Sequence, residues 1–318
     1  MNRATTMQAA VQRYLDERHR LGFALKSPST ELMRFARFAD VRDHQGPLTL
    51  DLQLDWAREH VARTSTVTAA RRLEVVRPFA TYYRQFEPAT EVPPPFILGR
   101  GHRRLAPHIY TDQEIGDLLA LSERMTPPGG LRPLTYKTLF GLIAATGLRI
   151  SEALNLQVND IDLAMATLTV RQTKFHKSRC LALHASVVQA LSDYLRARQR
   201  FIGCAGETPV FASLSGRALA LSWVHYVFAG LRDQLGWRAR GEHARTRIHD
   251  LRHTMVVRRV QLWHEAGTSI EHAMFWLCTC LGHANISDTY WYLTGTPELM
   301  ESVGARFERF VRQGAGHE

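Results

Sequence analysis

Cysteine is scarce: Cys180, Cys204, Cys278 and Cys280 are the only four in 318 residues. So sparse a set excludes a disulfide framework and leaves the fold to rest on its apolar core. Cys278, Cys280 and nearby His283 do not follow a usual zinc spacing, so buried thiols are the simpler expectation and no metal is expected. Long apolar runs are missing too. Nothing approaches the roughly 18–20 residues that cross a membrane. The start, "MNRATTMQAAVQRYLDERHR", carries no apolar h-region of a secretory signal. A cytoplasmic location without membrane partners is therefore expected. Lysine is the third scarcity. Of 40 basic residues only Lys26, Lys137, Lys174 and Lys177 are lysines. High genomic GC content produces that bias without any functional cause. Even so, a lysine kept where arginine is the default invites a chemical reason, because an ammonium releases a proton and a guanidinium in effect does not.

What is abundant is positive charge. The formal net charge is +10 and the pI about 9.8, which favours an acidic partner, DNA or RNA foremost. An apolar fraction of 45% with 22% charged residues describes an ordinary globular chain. Its length allows two domains with separate cores.

The pattern is mainly helical with one small β interruption. Over 1–87, Met7, Val11, Tyr14 and Leu15 recur at helical spacing up to Gly22. A second helix is expected from near Ser29, a third from Thr49 through Trp56 and Val61, and a fourth from near Ser65, kinked at Pro78. The fourth shows Arg71, Arg72 and Arg77 on its polar side, a stripe that is either a solvated face or a DNA-facing one. Residues 88–107 hold three consecutive prolines, two glycines and the pair Arg103-Arg104, the composition of a linker. The expected division is a helical domain over 1–87, a linker over 88–107 and a second domain over 108–318. Within the last, "TLTVRQTKFHKSRCLAL" alternates Leu168/Val170 and Leu181/Leu183, the period of two strands joined by a turn. Lys174 and Lys177 sit in or beside that turn.

Three further stretches carry chemistry. In "TGLRISEAL", an apolar helix stops at Gly147 and Arg149 opens the next segment. There its planar fork suits a phosphate, or else pairs with Glu152. In "RIHDLRHT", His249 and Arg252 are three apart and share a helix face, an imidazole and a guanidinium fit to bind an oxyanion while moving a proton. His249 and His253 have the spacing of a zinc-protease helix, but Asp250 stands where glutamate is needed and Arg252 intrudes on the face. In "LGHANISDTYWYL", His283 is followed by Tyr290 and Tyr292, which on a helix point about 200° apart.

With Arg149, Lys174, His249, Arg252, His283 and a tyrosine in that order, the chain resembles the tyrosine recombinase (phage integrase) family over about 108–300. "ATGLRISEAL" looks like its first-arginine motif, "TKFHKSRCLAL" its hairpin-lysine motif, "HDLRHT" its His-x-x-Arg motif and "LGHANISDTYWY" its His-then-Tyr motif. The family's spacing from Leu-Gly-His to threonine to tyrosine selects Thr289 and Tyr292.

The resemblance implies a mainly α fold with a small antiparallel sheet, an α+β catalytic domain behind an N-terminal core-binding one. It implies DNA cleavage and rejoining through a 3′-phosphotyrosyl link, for integration, excision or transposition of a mobile element. Tyr292 would be the nucleophile, Arg149, Arg252 and His283 the phosphate ligands, His249 the base and Lys174 the acid, with Lys177 its neighbour. Glu152 would orient an arginine. No cofactor is implied. The partners would be double-stranded DNA, contacted also by Arg71, Arg72, Arg77, Arg103, Arg104 and Lys177, and three further copies in a homo-tetramer on two duplexes, and the resemblance also allows companion recombinases. The apolar stripe Leu299, Val303, Phe307, Phe310 and Val311 after Pro297 would dock on its own domain or on a neighbour. Two departures stand out: the Arg252–His283 interval looks long enough for an insert, and Ala182 stands where proline is common. A type IB topoisomerase shares the tyrosine chemistry, and a DNA-binding accessory protein shares the charge.

Overall fold

The computed structural model describes residues 6–59, 66–101, 104–171, 178–203, 208–268, 270–283 and 285–294, and of 270–272 and 291–294 it describes the backbone alone. Lys174, Lys177, Arg103, Cys204 and the tail stripe from Leu299 to Val311 lie outside the described residues. The chain divides into two compact units, Met1–Arg104 and Leu105–Glu318. The division falls inside the stretch whose composition reads as a linker.

The first unit is helical. Helix α1 (Met7–Arg20) starts where the Thr6 side chain accepts from the Ala9 N–H, and α2 covers Lys26–Val41. The latter begins earlier than Ser29: Leu25, with φ 38°, makes the turn, and the Ser29 N–H already donates to the Leu25 carbonyl at 2.8 Å. Helix α3 (Leu50–Arg58) is capped by Thr49, and α4 (Thr66–Tyr83) runs unbroken through Pro78. Aromatic edges lock the core, with Phe35 5.3 Å from Trp56 and 6.4 Å from Phe79 between ring centroids. Burying each such ring contributes about 1.5–3 kcal/mol. The prolines after α4 are held as well. Arg77 donates to the carbonyls of Pro93 and Pro94, and the Gln53 side chain donates to the Glu91 carbonyl at 2.8 Å.

The second unit is built around one helix that is apolar on nearly every side. In α6 (Leu131–Thr146), Leu139, Phe140, Leu142 and Ile143 are all buried, as a central helix requires. Around it pack α5 (Asp112–Glu123), α8 (Ala185–Ile202) and α10 (Ile248–Glu265); α7 (Ile150–Leu154) follows it directly. Helix α9 (Leu221–Gln234) covers α5, while α11 (Ile270–Leu281) and α12 (Ser287–Thr294) close the described part. A three-stranded antiparallel sheet is ordered β1 (Ile161–Asp162), β2 (Thr167–Val170), β3 (Arg179–Ala182), with Leu168 opposite Leu181. The alternation in sequence marks β2 and β3; β1 is too short to show a period.

Three local features place the site. Gly147 ends α6 at φ 67°, a left-handed conformation natural to glycine, and its missing side chain makes room for Met255, whose Cε a Cβ would meet at 2.1 Å. Asp250, fully buried, accepts from the Arg247 backbone N–H at 2.9 Å and pins the start of α10. The long interval after Arg252 is taken up by α10 continuing to Glu265 and by α11. Cys180 and Cys280 are exposed and Cys278 is half-buried, against the expectation of buried thiols. The exposure follows from their places: Cys180 on the outward face of β3, Cys280 near the end of α11.

Candidate active site

Four chain segments meet at the carboxyl end of α11. The Leu281 carbonyl there accepts from Arg252 Nη2 at 2.9 Å and from Arg149 Nη1 at 3.3 Å. The two arginines are 103 positions apart in sequence (252 − 149) and share one oxygen. Arg252 is 1% exposed, and its Nη1 also donates to the Gly147 carbonyl at 2.6 Å. Its fork therefore ties the end of α6 to the end of α11. Arg149 is more open, with a third of its side chain exposed, and stands just before α7. Glu152 holds it twice, accepting from its backbone N–H at 3.0 Å and from Nη1 at 2.9 Å. Both pairing options for Arg149 thus coexist: Glu152 occupies part of the guanidinium while another part still faces outward.

His283 follows Gly282 out of α11. Arg252 Nη2 lies 3.0 Å from its Nε2, and Thr289 Oγ1 lies 2.8 Å from its Nδ1. A guanidinium N–H only donates, so Nε2 accepts and Nδ1 carries the proton towards the buried Thr289. Burial, and then the charges of Arg252 and Arg149, push the His283 pKa down to about 4. His249, one turn before Arg252 on α10, is also pushed down to about 4, by crowding of the ring and then by Arg252 and Arg247. Its ring meets His253 edge-on at 4.7 Å.

The sign of this effect is testable. An unfolded histidine takes up a proton near pH 6.5, so between about 6.5 and 4 the unfolded chain binds more protons than the folded one. Stability from these neutral imidazoles is complete above that window and is lost as pH falls through it. Nuclear magnetic resonance titration of the DNA-free protein should show the His249 and His283 imidazoles still neutral at pH 5.5, as well as that of His253, which is lowered further; midpoints near 6.5 for His249 and His283 would contradict the crowding and positive charge around them.

Two participants were not apparent from the sequence. Arg179, on β3, donates to both Glu152 oxygens, at 3.1 and 2.7 Å, and through Nε to the Cys280 carbonyl at 2.7 Å. Burial alone raises the Glu152 pKa, but Arg179 and then Arg149 reverse it, so the carboxyl stays below its usual range. A signal existed: Arg179 falls in the inward register with Leu181, where a strand rarely puts a charge. Arg247 is the second; it pairs with Asp250 at 2.6 Å.

Other expected residues are placed differently. Tyr290 is 38% exposed on α12, and Tyr292 lies on the same helix with its side chain outside the described part. Arg71 and Arg104 are exposed. Arg72 turns inward, donating to the Glu59 carbonyl at 2.7 Å and lying over Trp56, and Arg77 is engaged by the proline carbonyls. Among the described residues no helix is long and apolar enough to cross a membrane.

Two arginines converging on one carbonyl, beside a histidine and a buried carboxylate that steers one of them, gather donors that an oxyanion can use. The phage integrase family model matches residues 109–298, and the chain belongs to that family, the tyrosine recombinases, whose members cut and rejoin DNA. It is 38% identical to a protein of Sinorhizobium fredii (strain NBRC 101917 / NGR234) named as an integrase/recombinase, y4rB, over 96% of this chain and 98% of that one. Among solved structures it is similar to the Tn1549 transposon integrase in complex with a circular intermediate DNA, with TM-score 0.68 and 18% identity over 94% of this chain and 99% of that one. It is likewise similar to the XerH site-specific recombinase bound to difH substrate, with TM-score 0.67 and 16% identity over 95% and 85%.

Proposed function

We propose that this protein is a site-specific integrase that breaks and rejoins DNA through a 3′-phosphotyrosyl intermediate and serves a mobile element. The observation that carries this is the convergence of Arg149 and Arg252 on one carbonyl oxygen with His283 against Arg252. The outward part of the Arg149 guanidinium can donate to a phosphate oxygen brought beside that carbonyl. The +10 charge and the recombinase relatives support DNA as the phosphate's source.

In this proposal Tyr292 Oη attacks the phosphorus while the bond from phosphorus to the 5′-oxygen breaks. A phenol near pKa 10 is a weak nucleophile at neutral pH. Arg149 and Arg252 offset the charge that develops on the non-bridging oxygens and favour phenolate nearby. His249 takes the phenol proton. Its depressed pKa keeps the ring neutral and so able to accept at pH 7, and an arriving phosphate anion raises its basicity. His283 must change partners to donate through Nε2, since Arg252 now donates to that atom. A phosphate that draws off the guanidinium would allow it. Lys174 gives a proton to the leaving 5′-oxygen. Because the phosphotyrosyl ester is close in energy to the phosphodiester it replaces, a free 5′-hydroxyl from another strand reverses the step.

The direct test is a nicked suicide substrate carrying the element's own junction, incubated with full-length protein. A denaturant-resistant protein–DNA adduct is expected, and strand breaks without any adduct would sink the proposal. Lys174→Ala should slow cleavage by about 10²–10⁴-fold, the usual worth of a general acid. A 5′-phosphorothiolate substrate, whose leaving group needs no proton, should restore it. Failure of that rescue would move the acid to Lys177 or elsewhere.

We further propose a homo-tetramer on two duplexes, with residues after Glu298 docking on a neighbouring copy through Leu299, Val303, Phe307, Phe310 and Val311. Deleting those residues should block tetramer assembly on DNA while sparing single-site binding. Light scattering that still shows tetramers would remove the trans docking.

A further inference from the structure

We propose that Arg179 is a positioning residue for strand cleavage: it locks Glu152 and the end of α11 into one frame, so that Arg149 and His283 meet the phosphate together. This rests on the recombinase chemistry proposed above. The hydrogen bonds of Arg179 go to Glu152 and the Cys280 carbonyl, while its charge helps to lower the His283 pKa. It positions Arg149 and His283 through what holds them.

The guanidinium makes three hydrogen bonds in two directions. Nη1 and Nη2 take both Glu152 oxygens in a bidentate pair, and Nε takes the Cys280 carbonyl. Such a fork fixes angle as well as distance, which a lysine ammonium does not. Its two ends are the two supports of the site. Glu152 sets Arg149 through the backbone N–H and Nη1. Cys280 immediately precedes the Leu281 carbonyl on which Arg149 and Arg252 converge, and His283 follows two positions later. The side chains of Arg179 and Glu152 are 8% and 9% exposed, so neither is a casual surface pair.

Gly282 supplies independent support. It adopts φ 65°, and a Cβ there would stand 2.7 Å from Arg179 Nη1. The turn into His283 is therefore shaped around the guanidinium as well as by backbone preference. Charged groups facing Glu152 are Arg149 from its own segment and Arg179 from β3. Arg252 from α10 shares the Leu281 carbonyl with Arg149, and the Arg179 charge is one of those that lower the His283 pKa.

Removing Arg179 would leave Glu152 buried with one cation instead of two. Its carboxyl would then protonate at higher pH, and a protonated Glu152 holds Arg149 less firmly. A misplacement near 1 Å at a reacting centre costs about 10²-fold in rate. Full-length wild type, Arg179→Ala, Arg179→Lys and Arg179→Ala/Glu152→Gln should be compared on the suicide substrate in single turnover across pH 5 to 8.5, with DNA affinity measured in parallel.

The expected result is a loss of about 10²-fold in cleavage for Arg179→Ala, with DNA affinity nearly unchanged and the acid limb of the pH–rate profile moved towards neutrality. The double variant should be as slow but should lose the shift, because it has no carboxyl to titrate. Arg179→Lys should recover part of the rate and return the acid limb towards that of wild type, which keeps the test decisive if Arg179→Ala does not fold. Wild-type rates in Arg179→Ala, an unmoved acid limb, or a loss confined to DNA binding would each overturn the proposal. A wild type that forms no adduct would overturn the recombinase chemistry itself, so the two failures are distinguishable.

Discussion

Tyr292→Phe should abolish the covalent protein–DNA adduct, and Tyr290→Phe should leave it within a few-fold of wild type. Loss of a sole nucleophile removes the reaction path itself, so the drop should be on the order of 10⁴-fold or more, as when the nucleophile of an acyl-transfer enzyme is deleted. The choice between the two phenols rests on α12 being a helix over Ser287–Thr294. Thr289, fully buried, is bonded to His283 and so marks the inward side. Position 292 lies about 60° from Thr289 around the helix axis, while 290 lies about 100° the other way. The exposure of Tyr290, 38%, agrees with its outward position. Trapping on the nicked substrate followed by denaturing electrophoresis decides the matter. An adduct that survives Tyr292→Phe and vanishes with Tyr290→Phe would show that the register is wrong.

Arg252→Ala should damage fold and chemistry together, and Arg149→Ala chemistry alone. Arg252 is fully buried and bonds the carbonyls of Gly147 and Leu281 and the His283 ring. Truncation would leave the Gly147 carbonyl and the His283 ring short of a donor and the Leu281 carbonyl with Arg149 alone, a cost of about 3–5 kcal/mol. For a domain of this size that lowers the melting temperature by about 10 °C. Cleavage should fall by about 10²–10³-fold or more through loss of a preorganised donor to the phosphate. Arg252→Lys keeps the charge but not the fork, so it should regain some stability and little activity. Arg149 is partly exposed, and its removal should cost similar activity with a much smaller fall in melting temperature. Melting curves paired with single-turnover rates test both. An Arg252→Ala protein that melts like wild type would mean that the grip on α6 and α11 is not structural.

The contrast between these two arginines explains what was legible beforehand. Their order and spacing with His249, His283 and Tyr292 mark both as phosphate ligands by resemblance, and nothing in the sequence separates their burial. The same limit applied to the basic stripe of α4. Helical spacing placed Arg71, Arg72 and Arg77 on a polar side, yet Arg72 and Arg77 turn back to backbone carbonyls of their own unit and Arg71 stays exposed. Long cationic side chains reach several ångströms, so a pattern of positions does not decide where the charge ends up.

Sequence alone determined the helical class, the β2–β3 alternation, the stop at Gly147 and the order of the chemical groups, because periodicity, turn chemistry and motif spacing are local in the chain. Tertiary structure alone decided that Leu281 offers one oxygen to two distant arginines, that His283 donates to Thr289 and accepts from Arg252, and that Arg179 braces Glu152. All of those contacts except the one from His283 to Thr289 join segments far apart in the chain, and which carbonyl meets which guanidinium depends on how the helix ends pack.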